Sequence, residues 1–159
     1  MKVFITGATG FIGTEVARRF GSSNHEMICL VRKSSNVKEL NKLNARLITG
    51  DVTDKSSLLE GMKGCNWVVN VANIYTFWEP DKKIYHRVNV EGTRNVMEVA
   101  LESGASKVVH VSTVGIWGTP KESPITEETP VADRRFSQYC ESKYQGDLIA
   151  WELYKTKGL

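Results

Sequence analysis

The chain of 159 residues has the length of one domain, and 41% hydrophobic residues with a mean hydropathy of −0.28 are enough for a packed core. Its 21 basic and 18 acidic side chains leave a net charge of +3 spread along the sequence, which gives no case for nucleic-acid binding beyond a local basic patch. No apolar run of eighteen residues occurs, so a membrane span is not expected. The opening Met1-Lys2-Val3-Phe4-Ile5-Thr6 enters a strand pattern directly, without the apolar stretch of a signal peptide, and the expected location is cytoplasmic. Cys29, Cys65 and Cys140 are far apart and in no CxxC or Cys/His arrangement, so neither a disulfide framework nor a metal site is expected.

Short apolar runs alternate with longer helical ones. Strands are predicted over residues 3–6, 27–31, 46–49, 67–71 and 108–112, most of them near-continuously apolar, as in strands covered on both faces. Helices are predicted over 11–20, 37–43, 56–62, 84–103 and 137–157, the second of them short and weakly periodic. The alternation predicts an α/β fold: a three-layer, doubly wound parallel sheet in the order 3-2-1-4-5. The irregular stretch 114–136 carries Gly115, Gly118, Pro120, Pro124 and Pro130, and a loop of that length in a compact domain is more often functional than not.

The first strand ends in Thr6-Gly7-Ala8-Thr9-Gly10-Phe11-Ile12-Gly13 and runs straight into a helical pattern. Gly7 allows a tight turn, Gly10 a close approach of phosphate to backbone, and Gly13 close packing of the helix, leaving the helix N-terminus to face a pyrophosphate. Three glycines alone also suit a purely structural turn; their place between first strand and first helix makes Gly7, Thr9, Gly10, Phe11, Ile12 and Gly13 candidate cofactor contacts. The tip of the second strand, where an acid would read a free ribose hydroxyl, is Arg32-Lys33-Ser34. Either these are solvated charges at a strand end or they hold a 2′-phosphate, which favours NADP(H) with NAD(H) possible.

Tyr139 and Lys143 are four apart in a helical segment and so share a face. An ammonium near the phenol would lower its pKa and suit it to exchange a proton with a substrate oxygen while hydride moves to or from a nicotinamide. Thr113, at the end of the fifth strand, stands where ligands bind in open parallel sheets and could hold the same oxygen. A lone YxxxK more often marks a surface helix; the glycine turn, the strand-end hydroxyl and the loop between them give it weight.

Thr6 to Gly13, Asp51-Val52-Thr53-Asp54, Asn89-Val90-Glu91-Gly92-Thr93-Arg94-Asn95, Val111-Ser112-Thr113-Val114-Gly115-Ile116-Trp117-Gly118 and Tyr139-Cys140-Glu141-Ser142-Lys143 resemble, in order and spacing, the extended short-chain dehydrogenases/reductases, the superfamily of nucleotide-sugar epimerases and dehydratases. Val71-Ala72-Asn73-Ile74-Tyr75-Thr76-Phe77-Trp78-Glu79-Pro80 is similar to the dihydroflavonol-reductase-like branch. The resemblance implies a catalytic set of Thr113, Tyr139 and Lys143, with Lys143 also on the nicotinamide ribose. It implies Asp51 on the adenine amino group, Val52 beside the ring, and Val71, Ala72 and Asn73 among the cofactor contacts. Asp51 in its Gly50-Asp51 context also reads as a helix cap or turn residue. Asn70 stands where many relatives have histidine, so no role tied to that imidazole carries over. Tyr75, Phe77 and Trp78 are either an aromatic wall for substrate or core and lid residues.

The resemblance covers residues 1–159 as one NAD(P)-binding domain and only the N-terminal half of a typical member, the substrate domain being absent past Lys157-Gly158-Leu159. Two expectations compete: the catalytic portion of an oxidoreductase or epimerase/dehydratase acting on a small carbonyl, alcohol or nucleotide-sugar, or a non-catalytic NADP-binding module. The last helix carries Tyr144, Leu148 and Trp151 on one stripe and Ile149 and Leu153 on another, more apolar surface than one contact requires, so a homodimer through the last two helices is expected. The fifth strand, β-branched and without proline, is expected to be an unprotected edge.

Overall fold

The computed structural model of the protein describes residues 1–119 and 123–158; Pro120 and Leu159, both named above, lie outside the described residues. Five strands, β1 (Lys2–Thr6), β2 (Glu26–Val31), β3 (Arg46–Thr49), β4 (Trp67–Asn70) and β5 (Lys107–His110), form one parallel sheet in the order β3-β2-β1-β4-β5, the expected topology. Register is set through the centre by Phe4, level with Ile28 on β2 and Val68 on β4, which in turn is level with Val108 on β5.

Alternation sends the two sets of side chains to opposite faces. Val3 and Ile5 pack with Met27, Cys29, Val31 and Val69 beneath α1 (Phe11–Gly21) and α2 (Lys38–Asn41), which contribute Ala17 and Leu40. Phe4 packs with Ile28, Leu30, Ile48 and Val68 against Leu58 and Met62 of α3 (Lys55–Met62) and Val96, Val99 and Ala100 of α5 (Gly92–Glu102). Both faces are buried, which is why the strands read as continuous apolar runs rather than alternating ones.

The long helix expected over 84–103 is three pieces: α4 (Lys83–Tyr85), a π-helical turn His86–Glu91, and α5. The wider turn rotates Asn89 and Val90 inward, and both are buried. The second predicted helix shrinks to four residues. Strands β4 and β5 stop one and two residues earlier than expected; single bonds from Val71 N to Thr6 O (3.3 Å) and from Val111 N to Asn70 O (3.1 Å) carry the pairing just beyond them. Inside the predicted loop, Val114–Trp117 forms a 3₁₀ turn, and Trp117 Nε1 donates to Thr129 O at 2.9 Å.

The final helix, α6 (Gln138–Lys157), starts on Ser137, whose hydroxyl accepts the Cys140 N–H, and ends at Gly158 with φ +71°. Ile149 and Leu153 face Val90 and Met97, joining α6 to α5, while Leu148, Trp151 and Tyr154 stay exposed. Strand β5 is an outer strand of the sheet, and Val109 is 43% exposed on the α1 side. Among the described residues, no helix is long and apolar enough to cross a membrane.

Candidate functional site

The C-terminal ends of the strands open into a cleft of about 800 Å³, bounded by the turn after β1, the tips of β2 and β3, the segment after β4, and residues 111–113 with Tyr139. Ligands gather at this end of an open parallel sheet, between the two directions in which the chain winds.

At one end stands the glycine turn. Gly7 has φ +70°, and a Cβ there would lie 2.6 Å from Ala72 N; a Cβ on Gly13 would lie 2.0 Å from Gly7 O. Both glycines are therefore required by close backbone approach, and α1 begins hard against the turn. Gly10 differs, because its Cβ would meet only Gly7 O, at 3.3 Å. It is the N-cap of α1, with no side-chain cap and no acid in the first helical turn, so the helix presents open N–H groups and the positive end of its dipole to the cleft. Thr9, Phe11 and Ile12 line the same end, Phe11 almost fully exposed.

Arg32 lines the cleft from the tip of β2, in a tight turn where Ser35 N donates to Arg32 O (2.9 Å) and Arg32 N to Ser35 Oγ (3.2 Å). Lys33 is exposed but outside the cleft lining, which Ser35 joins instead. Asp51 and Val52 line the cleft beside Gly50. One Asp51 oxygen accepts both the backbone N–H (3.0 Å) and the hydroxyl (2.8 Å) of Thr53, so Asp51 is a turn residue as well as a cleft residue, and the cap of α3 is Asp54. Val71, Ala72 and Asn73 form the wall after β4; Asn73 Oδ1 is buried and has no hydrogen-bond partner among the described residues.

At the other end, Thr113 and Tyr139 line the cleft, and Lys143 lies outside its lining. Thr113 lies three residues beyond β5 rather than at its last position, and its Oγ1 accepts the Gly115 N–H at 3.3 Å. Tyr139 is buried, flanked edge-on by Tyr75 (centroids 5.1 Å apart) and Phe77 (6.2 Å). The expectation of a lowered phenol pKa is corrected: burial raises it above 10, the Thr113 side chain alone opposes that, and Lys143 is not among the groups acting on it. The physical reason is where the ammonium goes. Lys143, 2% exposed, donates to Val111 O at 2.6 Å, and burial lowers its pKa while Asp147 resists.

Other polar groups of the site escape a sequence reading. Buried Asn89, turned inward by the π-helical turn, accepts Ile74 N–H (2.8 Å) and donates to Ile74 O (3.2 Å) and Ser142 Oγ (2.9 Å), clamping the cleft wall to α6. Asn70 joins Thr6, His110, Ser112 and Asp147 in a network at the strand ends, in which Thr6, Asn70 and Asp147 are buried and Ser112 is exposed. The signal available for Asp147 was its spacing, one further turn along the Tyr139 and Lys143 face. Tyr75 and Phe77 flank Tyr139, Phe136 follows against Phe77, and these three with Trp78 are largely exposed, so none is a core residue.

The profile of the NAD dependent epimerase/dehydratase family matches residues 3–159. Among individual relatives, a dihydroflavonol 4-reductase-like protein of Synechocystis is 33% identical over 144 residues, 89% of this chain and 41% of the relative. A dTDP-glucose 4,6-dehydratase of Streptomyces niveus is 30% identical, covering all of this chain and 51% of the relative. Among solved structures, gox2253 superposes with a TM-score of 0.90 at 37% identity, over 99% of this chain and 48% of the other. DesIV of Streptomyces venezuelae, a dTDP-glucose 4,6-dehydratase with NAD and DAU bound, gives 0.89 at 27% identity, over 100% and 53%. The chain thus spans about half the length of the relatives it matches, and across that half, with its 3-2-1-4-5 sheet, it belongs to the NAD dependent epimerase/dehydratase family.

Proposed function

We propose that this chain is the cofactor-binding and catalytic half of an NAD(P)-dependent oxidoreductase or epimerase/dehydratase acting on a carbonyl or alcohol of a small molecule or nucleotide-sugar. The carrying observation is that one cleft has a bare helix N-terminus at one end and Thr113 and Tyr139 at the other, with Lys143 held behind that end on Val111 O. The residues suit a dinucleotide: Gly7 and Gly13 let α1 begin hard against the turn, the start of α1 offers open N–H groups to the cleft, and Asn73 Oδ1 lacks a partner among the described residues.

In this reading the N–H groups of Phe11 and Ile12 hold the pyrophosphate; the Gly10 N–H, expected to join them, donates to Gly7 O at 3.0 Å, so Gly10 shapes the turn with Gly7, Thr9 and Gly13. Arg32 takes a ribose 2′-phosphate, with Lys33 in support, so NADP(H) is preferred over NAD(H). The free Asp51 oxygen reaches the adenine amino group beside Val52, and Val71, Ala72 and Asn73 border the nicotinamide end. A bound nicotinamide supplies the hydride exchange. Tyr139, protonated in its buried setting, delivers the proton to a carbonyl oxygen that Thr113 orients, and Lys143 holds the ribose.

Titration calorimetry with NADP and NAD tests the cofactor arm: Arg32→Ala should lose at least tenfold more affinity for NADP than for NAD, because only NADP carries the extra dianion. Equal losses would refute the assignment. Turnover tests the catalytic arm in the complete protein, where Tyr139→Phe should remove most activity and spare cofactor binding. Binding without turnover in the unaltered protein would favour the non-catalytic module.

A further inference from the structure

Asp147 lies one helical turn beyond Lys143 and two beyond Tyr139 on α6, and it is 8% exposed. A carboxylate so deeply placed needs partners. Its Oδ2 accepts the Ser112 hydroxyl, and its Oδ1 faces His110 Nε2 at 3.2 Å, short of full hydrogen-bond alignment, with neither atom having another partner among the described residues.

The backing of that histidine is directional. Ala72 N–H donates to Thr6 Oγ1 (3.2 Å), so the Thr6 proton goes to Asn70 Oδ1 (2.6 Å). This turns the Asn70 amide N–H toward His110 Nδ1 (3.1 Å) and assigns the ring proton to Nε2, facing Asp147. A chain of polar contacts therefore runs from the cleft wall, through the end of β1, under β4 and β5, to α6.

Each of residues 111–113 makes a contact with α6. Val111 O accepts Lys143 Nζ, Ser112 Oγ donates to Asp147, and the Thr113 side chain acts on the Tyr139 phenol. The titratable groups acting on this cluster are His110 from β5, Tyr75 from the segment after β4, and Cys140 and Asp147 from α6, and Asp147 is the acid among them.

We propose that Asp147 is a positioning residue: its carboxylate balances the buried Lys143 ammonium through space and anchors Ser112, so that Thr113, next in the chain, stays against Tyr139. The inference rests on the reading that Tyr139 and Lys143 serve the reaction. His110 and Asn70 hold the carboxylate from behind. Asp147 touches neither substrate nor cofactor in this role, and it makes no direct ion pair with Lys143.

The test is an NMR titration of the lysine ε-carbons in the folded protein, with the Lys143 signal identified by its loss in Lys143→Met. Asp147→Asn should lower the Lys143 midpoint by about one pH unit, the size of effect an opposite charge a few ångströms away produces, and Asp147→Glu should restore most of it. Asp147→Ser, which also removes the charge, serves if Asp147→Asn does not fold. A role confined to packing would cost stability without moving the Lys143 midpoint, and a midpoint that stays within about 0.3 unit in whichever of the two variants folds overturns the proposal. The turnover of Tyr139→Phe is a separate readout, so failure of the reaction assignment is distinguishable from failure of this coupling.

Discussion

Gly13→Ala isolates the contact that seats the first helix on the glycine turn. Gly13 has no left-handed backbone, and alanine in a helix is intrinsically favoured by about 1 kcal/mol, so conformation alone predicts a gain. Contact predicts the opposite. The added methyl would lie 2.0 Å from Gly7 O, 2.7 Å from Gly7 C and 2.9 Å from Ala8 Cα, all backbone atoms with no side-chain freedom to yield. The turn cannot retreat, because Gly7 is itself pressed against the backbone of Val71 and Ala72. Overpacking of this kind costs roughly 3 kcal/mol at the upper end of its usual range, leaving a net loss of about 2 kcal/mol after the propensity gain. For a chain of this size that is a fall of about 4–8 °C in Tm, measurable by far-ultraviolet circular dichroism. Gly10→Ala is the matched comparison, since its Cβ would meet only Gly7 O at 3.3 Å; it should cost about 1 kcal/mol or less, the value of an N-cap change. A Gly13→Ala protein melting at or above the unaltered one would refute the contact argument.

Two further outcomes are expected. The His110 pKa is lowered from 6.5 by burial, so in acid the unfolded chain binds a proton that the folded ring resists; stability should decline as pH falls from about 6.5 toward the folded value, and urea midpoints of His110→Gln should lack that decline. Parallel pH profiles for the two proteins would contradict it. The outer strand β5 should show faster native-state hydrogen exchange than β1, which is paired on both sides; equal protection across Lys107–His110 in a demonstrated monomer, with no added strand, would remove the edge argument.

The alternation of strands and helices, the glycine turn and the shared helical face of Tyr139 and Lys143 were legible in the sequence because each depends on short-range pattern, and the sheet order followed from the doubly wound rule. Apolar runs of strand length mark two-sided burial, three glycines between a strand and a helix mark a backbone approach, and a four-residue spacing puts two side chains on one helical face. Even the choice between turn residue and cleft residue at Asp51 was visible as a choice; the fold makes it both, through Thr53. The π-helical turn was not legible, because an extra residue in one turn is selected by what Asn89 can reach across the fold, Ile74 and Ser142, and not by its neighbours in sequence. The ionisation of Tyr139 and Lys143 was misread for a related reason. Spacing says that the two groups share a face but not how much water is removed from them, and burial drives both toward their neutral forms while the ammonium turns to Val111 O. The network of Thr6, Asn70, His110, Ser112 and Asp147 joins residues separated by 35 to 64 positions. Only tertiary structure brings them together, because parallel strands place their polar C-terminal residues side by side, and a helix laid across those ends must find partners for its buried carboxylate.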